Sequence, residues 1–299
     1  MDTKEPDWDL YRSFLAVLRA GSLSAAAREL GLAQPTLGRH IDALEAALGM
    51  PLFVRSQHGF VPTEGAQHLR RHAEALDASA RALLRAASGA GQPGRGTVRI
   101  TASDVIGCEA LPPILARLHA DHPGLQVELA LSDQVQDLLL READIAVRML
   151  RPTQEALIGR RAGSITVGMY AHRDYLARAG TPATLDDLRE HTLIGFDHEN
   201  AFIRGVKQHL GGLTRSSFHL RTDSNMAQLA AIRAAVGIGM CQVAVARRDP
   251  QLVRLMPDQL ALALDTWIVM HEDLRENKLC AVVFAALAEG LAAYANNAS

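Results

Sequence analysis

The sequence predicts a mainly helical N-terminal domain, a long connecting helix and a C-terminal α/β domain. Three observations carry that prediction. Apolar residues recur at helical spacing through residues 7–88. The Gly-dense stretch SGAGQPGRG at 88–96 then breaks the chain and reads as a linker. Beyond it, short β-rich runs alternate with helical patterns, as parallel βαβ units do. A chain of 299 residues suits about two domains. With 48% hydrophobic and 21% charged residues and a net charge of −2, it is globular in composition, and a polycationic tail is excluded as a route to nucleic acid.

Leu10, Phe14, Val17 and Leu18 mark a first helix that Gly21 ends. Ser22 is placed to cap a second, SAAARELG, which stops at Gly31. A third starts at Gln34–Pro35, where proline's missing N–H costs nothing, and stops at Gly49. Leu37, Ile41, Leu44 and Leu48 form its apolar face. PLFVRSQHGFVPT reads as a hairpin turning at Gln57–Gly59. Thr63 is placed to cap a long helix to about Ser88, with Ala66, Leu69, Ala73, Leu76, Ala80 and Leu83 as a stripe. After the linker, TVRITAS, LQVELAL and ADIAVRM read as strands alternating with the helices ALPPILARLHADH and DQVQDLLLREA. SITVGMY, the capped helix TLDDLREH (Thr184 with Asp187), LIGFD, SNMAQLAAIRAAVG, IGMCQVAVA, DTWIVMH and a helix over 276–295 continue the alternation.

Several function classes are set aside. Cys108, Cys241 and Cys280 lie far apart, which argues against a disulfide framework or a cysteine zinc site and fits a reducing cytosol. No basic pair beside Cys108 or Cys241 favours a thiolate, so both read as inert rather than redox sensors. His68 and His72 stand at i, i+4 without a third ligand, so no metal is expected. No nucleophile-elbow or phosphate-loop motif occurs, and neither an enzyme nor a cofactor is expected. The polar start MDTKEPDWDL is no signal peptide, and the apolar run Leu279–Ala288 falls short of the ~20 residues of a membrane span.

Three short helices and a hairpin are what a winged helix-turn-helix needs, with the third helix entering the major groove by its N-terminal end. An ordinary helical bundle shares that pattern. The residues themselves go further. Phe14, Val17, GSLSAAA at 21–27 and Leu30 resemble the start of the LysR-type transcriptional regulators. So do QPTLGR at 34–39, Ile41, Leu44, Glu45, Leu48, Gly49, PLF at 51–53, Arg55 and TEG at 63–65. Leu111–Pro112, His122–Pro123, ADIAV at 143–147 and GIG at 237–239 extend the resemblance along the chain. Two positions depart from the family. Ala33 replaces the usual Ser and removes a cap worth about 0.5–2 kcal/mol. Gly38 replaces a Ser that often faces DNA.

The resemblance implies a winged helix-turn-helix DNA-binding domain at 1–62, a linker and dimerisation helix with hinge at 63–96, and an effector-binding domain at 97–299. The last is a two-lobed α/β fold similar to periplasmic binding proteins. Lobe I covers about 97–167 and 271–299, lobe II about 168–270. The implied partners are duplex DNA, a small-molecule effector and further copies in a homodimer or homotetramer, with no membrane and a cytoplasmic location. Gln34 is suited to an adenine edge, Thr36 to a phosphate or thymine methyl, and Arg39 to a guanine edge or phosphate. Pro35 and His40 belong to the same surface, and Arg55 resembles the family's backbone-contacting wing arginine. The alternative for Arg39 and Arg55 is solvated charge. Charge itself is equivocal: ten basic and ten acidic side chains lie within 1–88, though five arginines face three acids within 12–60.

Ligands in open α/β sheets sit beyond the carboxyl ends of strands. That rule selects Thr101, Ser103, Asp104, Ser132, Asp133 and Arg148 from lobe I. It selects Asn200, Phe202, Asp223 and Gln242 from lobe II. Arg148 is suited to hold an effector carboxylate bidentately, or to pair with Asp104 or Asp133 instead. A binding module without a DNA role and an enzyme on the α/β domain are the competing readings.

Overall fold

The computed structural model describes residues 5–56, 59–88, 94–132, 143–149, 151, 152, 154, 156–199, 204 and 212–296. Contacts divide the chain into two compact units, the first ending at Leu84.

In the first unit, α1 (Trp8–Ala20), α2 (Leu23–Leu30) and α3 (Gln34–Leu48) end at Gly21, Gly31 and Gly49, each left-handed. The Ser22 hydroxyl accepts from the N–H of Ala25 at 3.3 Å, capping α2 as expected. Ala33 gives α3 no such bond. Phe14, Leu15, Val17, Leu37, Ile41 and Leu44 are sealed into a common core with Leu52 and Phe53. β1 (Phe53–Ser56) and β2 (Gly59–Pro62) form the antiparallel wing. Two contacts fix that wing. Glu45 Oε1 accepts the N–H groups of Leu52 and Phe53 at 2.6 and 3.1 Å. The Phe60 N–H donates to the Gly21 carbonyl at 3.0 Å. Gly59 has φ +109°, and a Cβ there would lie 2.6 Å from the Gly21 oxygen, so the close approach requires glycine.

α4 (Glu64–Ser88) is capped by the Thr63 hydroxyl, which accepts from the Ala66 N–H at 3.1 Å. Its predicted stripe divides. Ala66 and Ala73 are buried in the domain core, whereas Leu76 and Leu83 are 48% and 68% exposed. Heptad spacing alone does not separate these two environments.

The second unit is built on a mixed seven-stranded sheet. β3 (Gly96–Ala102) lies between β4 (Leu125–Leu131) and β5 (Ile145–Arg148), parallel to both. The remaining pairings within this sheet are antiparallel, so within it the expectation of parallel units holds only at this end. The reason is the length of β6 (Leu157–His172) and β11 (Ala261–His271), which run against each other over most of their extent. β6 also pairs with β9 (Gly239–Gln242) and β10 (Leu252–Leu255). A register shift at Thr266/Trp267 interrupts the long pair. Opposite it, Gly163 has φ +154°, and a Cβ there would come within 2.8 Å of the Ala295 methyl carbon.

Helices flank the sheet: α5 (Leu111–Asp121), α6 (Arg173–Ala179), α7 (Asn225–Arg233), α8 (Val243–Ala246) and α9 (Lys278–Asn296). β7 (Ile194–Gly195) and β8 (Leu220–Arg221) make a separate parallel pair. Several expectations are corrected. A π-helical turn, Ile106–Ala110, precedes α5. VAVA is a short helix rather than the end of a strand. All four of its residues are buried, and a short apolar run has no period to distinguish the two states. TLDDLREH forms only a 3₁₀ turn at Asp187–Glu190, although Asp187 accepts the N–H of Thr184 at 2.9 Å as a capping box requires. The helix predicted over DQVQDLLLREA lies outside the described residues apart from its last residue, Ala143. The apolar run at 279–288 continues past Glu289 into α9, which is long and apolar enough to cross a membrane by composition. Its Cys280, Val283, Leu287 and Leu291 are instead buried against Ile100, Ile114 and Ile165 in the domain core.

One buried ion pair stands out. Arg85, in the last turn of α4, holds Asp144 bidentately, Nε to Oδ2 at 2.9 Å and Nη2 to Oδ1 at 3.0 Å. The same carboxylate accepts the Arg99 N–H at 2.8 Å.

Candidate nucleic-acid interface and effector cleft

In the first unit, the open start of α3 presents Gln34, Pro35 and Arg39 to solvent, with Thr36 and His40 half-buried. The Arg39 guanidinium lies 3.4 Å from the Thr36 hydroxyl, so the two side chains form one polar surface. A Cβ on Gly38 would meet only a Leu23 methyl at 3.9 Å. The glycine is therefore not demanded by packing. His40 Nδ1 lies 2.8 Å from the Ser13 hydroxyl, which itself donates to the Asp9 carbonyl at 2.7 Å. The hydroxyl has one hydrogen, so His40 must donate from Nδ1, leaving Nε2 as its other polar atom. Sequence reasoning missed Ser13, which is 1% exposed and looks like an ordinary core position. Arg55 is fixed in backbone by its pairing with Phe60; its side chain is outside the described residues.

In the second unit, the carboxyl ends of the parallel strands come together, Ala102 opposite both Leu131 and Val147. That places Thr101, Ser132 and Arg148 at one strand-end edge. Arg148 is only 8% exposed. It donates to the Thr101 hydroxyl at 3.1 Å and the Val147 carbonyl at 3.2 Å. Ser103 and Asp104 lie in the turn after β3, where the Ser103 carbonyl accepts from Gly107 at 2.8 Å. Asp133, Asn200 and Phe202 lie outside the described residues.

Two further residues are engaged elsewhere. Asp223 accepts the N–H groups of Asp197 and His198 at 3.0 and 2.9 Å and meets His198 Nδ1 at 2.6 Å. Those bonds hold its carboxyl below the usual range. Gln242 is buried and accepts the Tyr294 hydroxyl at 2.6 Å.

Trp267 was also missed. It stands opposite Arg148 in register, its indole N–H is buried without an acceptor among the described residues, and the Arg151 guanidinium lies 5.7 Å above its ring. Burial pushes the Cys241 and Cys280 thiols up to about 12, in keeping with an inert Cys241, whereas Cys108 is exposed. A separate pocket of about 880 Å³, lined by Arg95, His119, His122 and Gln126, opens at the amino ends of β3 and β4, away from the strand ends that carry Arg148.

Comparison with known proteins matches residues 8–67 to the bacterial regulatory helix-turn-helix proteins of the lysR family and residues 91–292 to the LysR substrate binding domain. A transcriptional regulator of Xanthomonas campestris pv. campestris is 32% identical over 63% of this chain, and the match spans 56% of that protein. CrgA of Neisseria meningitidis is 29% identical over 61% of each chain. The chain thus spans little more than half the length of these relatives. LtrA of Klebsiella pneumoniae is 24% identical over 87% of each chain.

Among solved structures, CbnR superposes with a TM-score of 0.70 at 20% identity, covering 97% of this chain and 99% of its own. AphB of Vibrio cholerae gives 0.62 at 19%, covering 94% and 98%. Both likenesses show the fold. With one family domain matched in each half of the sequence, the chain belongs to the LysR family of transcriptional regulators.

Proposed function

We propose that the chain is a sequence-specific DNA-binding regulator that acts in the cytoplasm as a homodimer or homotetramer and responds to a small effector held between two lobes. The observation that carries this reading is the exposed, uncapped start of α3, where Gln34, Thr36 and Arg39 share one surface beside the wing. CbnR, whose fold this chain shares, has been solved with its target DNA. In our reading Gln34 reads a base edge and Arg55 meets the backbone. Thr36 and Arg39 add polar contacts. Pro35 sets the start of the helix, and His40, tethered to Ser13, orients it. The reading assigns no catalytic step and no cofactor.

For the effector-binding domain at 97–299, which follows the linker and dimerisation helix at 63–96, we assign a small polar, anionic effector with Arg148 as its charge partner and Thr101, Ser103 and Ser132 as neutral contacts. Asp104, Asp133, Asn200 and Phe202 belong to the proposed rim. Asp223 and Gln242 support the walls through the bonds described rather than offering open ligand groups.

The test is a thermal-shift screen of carboxylates and amines on the full chain, followed by calorimetry on Arg148→Ala. The reading expects a carboxylate to stabilise the parent and to lose at least tenfold in affinity in the variant. A hit indifferent to Arg148→Ala removes that residue from the site, and a cationic hit overturns the anionic assignment.

A further inference from the structure

Arg254 on β10 stands opposite Tyr170 on β6. Its Nε is buried without a partner, and the side chain forms no hydrogen bond or ion pair among the described residues. A buried guanidinium N–H left in this state is costly, and proteins rarely tolerate one without a use. The guanidinium rests over Gly168: a Cβ there would lie 3.1 Å from Nε and 3.7 Å from Cζ. The missing side chain at 168 thus lets the guanidinium approach β6 closely. The same Cβ would meet the Tyr170 ring at 3.4 Å, so all three residues share one recess.

Tyr170 is itself buried, and its hydroxyl makes no hydrogen bond among the described residues, yet its oxygen is not sealed from solvent. The guanidinium groups of Arg254 and Arg247 both lie within electrostatic reach of its hydroxyl. Among the described residues, the Arg254 guanidinium and the Tyr170 hydroxyl are thus two donors without acceptors, on neighbouring strands beside Gly168.

We infer that Arg254, Tyr170 and the bare backbone of Gly168 form a binding site for a single oxyanion group, a carboxylate or phosphate, on the sheet face of lobe II. A guanidinium fork accommodates two oxygens of such a group side by side, and the phenol donates a third bond. The site is independent of the effector cleft, since none of these residues belongs to the set around Arg148.

The test uses the full chain at constant ionic strength, because exposed charge effects are otherwise screened to different extents. Inorganic phosphate and succinate are titrated separately, and the midpoint of thermal unfolding is followed to saturation. The expected result is saturable stabilisation by at least one anion, weakened tenfold or more by Arg254→Gln and several-fold by Tyr170→Phe. In Arg148→Gln the stabilisation persists within twofold. A tenfold preference for succinate identifies a carboxylate site, and the reverse identifies a phosphate site. The inference is overturned if neither anion binds the parent saturably, or if Arg254→Gln and Tyr170→Phe both bind as the parent does. It is also overturned if Arg254→Gln alters only sedimentation, which would mark a contact between copies. Loss in Arg148→Gln alone would assign the anion to the cleft, leaving the effector reading standing and this one refuted.

Discussion

The hydroxyl of Ser13 has one hydrogen, and its destination fixes how His40 sits on the recognition helix. Ser13→Ala leaves the His40 N–H without its acceptor, and we expect a loss of about 1 kcal/mol in chemical denaturation, with DNA affinity falling alongside. An unchanged midpoint would mean that water replaces the hydroxyl. At the DNA surface, Gln34→Ala is expected to relax preference at one base position by about 1–3 kcal/mol. Arg55→Ala is expected to weaken all sequences alike and to lower the salt slope by about one. Equal behaviour of the two variants in a salt titration would contradict this division of roles.

His198 and Asp223 supply a pH signature. Asp223 is held low by backbone N–H groups and His198, and His198 is raised chiefly by its hydrogen bond to Asp223. The carboxylate's contribution is present above the ordinary Asp range and fades as pH falls through its lowered value. The imidazolium's is present below the ordinary His range and is lost as pH rises through its raised value. Stability from the pair is therefore greatest between those limits, and Asp223→Asn should flatten a stability profile across that window.

At the scale of elements, what was legible in the sequence depended on distance along the chain. Ser22 and Thr63 cap their helices through partners three residues on, and Gly21, Gly31 and Gly49 end helices by their own backbone freedom. Each signal lies beside its effect. Ser13 with His40 spans 27 residues, and Arg85 with Asp144 spans 59. No local pattern announces either pair. The ADIAV resemblance included Asp144 but gave it no partner. Likewise, the stripe on α4 was visible, but its division into a packed half and an exposed half depends on where the domain core ends.

That division sharpens the assembly prediction. Because Leu83 is largely exposed within one chain, Leu83→Asp should dissociate the oligomer in sedimentation while leaving the fold intact. A parent-like oligomer would place the interface elsewhere. Arg85→Ala, by contrast, strands a buried carboxylate and should cost about 3–5 kcal/mol, read as a lower unfolding midpoint. Restoring that midpoint by adding Asp144→Asn would confirm the cause.

At the scale of the whole molecule, the division into a helical domain, a long helix and an α/β domain follows from the change of hydrophobic period at the linker. The strand directions do not. Parallel and antiparallel neighbours share the same alternation, and the antiparallel pairings of β6 and β11 with each other and with β5, β9 and β10 decide the mixed sheet. Thr101, Ser132 and Arg148 were legible as strand ends, but Gln242 and Asp223 proved engaged with Tyr294 and His198. Those partners come from distant parts of the chain.

In the proposed function, the chain selects particular duplex sequences through α3 and the wing. The most direct measurement is to incubate the full chain with fragmented genomic DNA at near-physiological salt and sequence what it retains. The expected result is enrichment of a shared site with two related half-sites about one helical turn or a multiple of it apart, lost in Gln34→Ala. Retention without a shared sequence, or the same site retained equally by that variant, would contradict it.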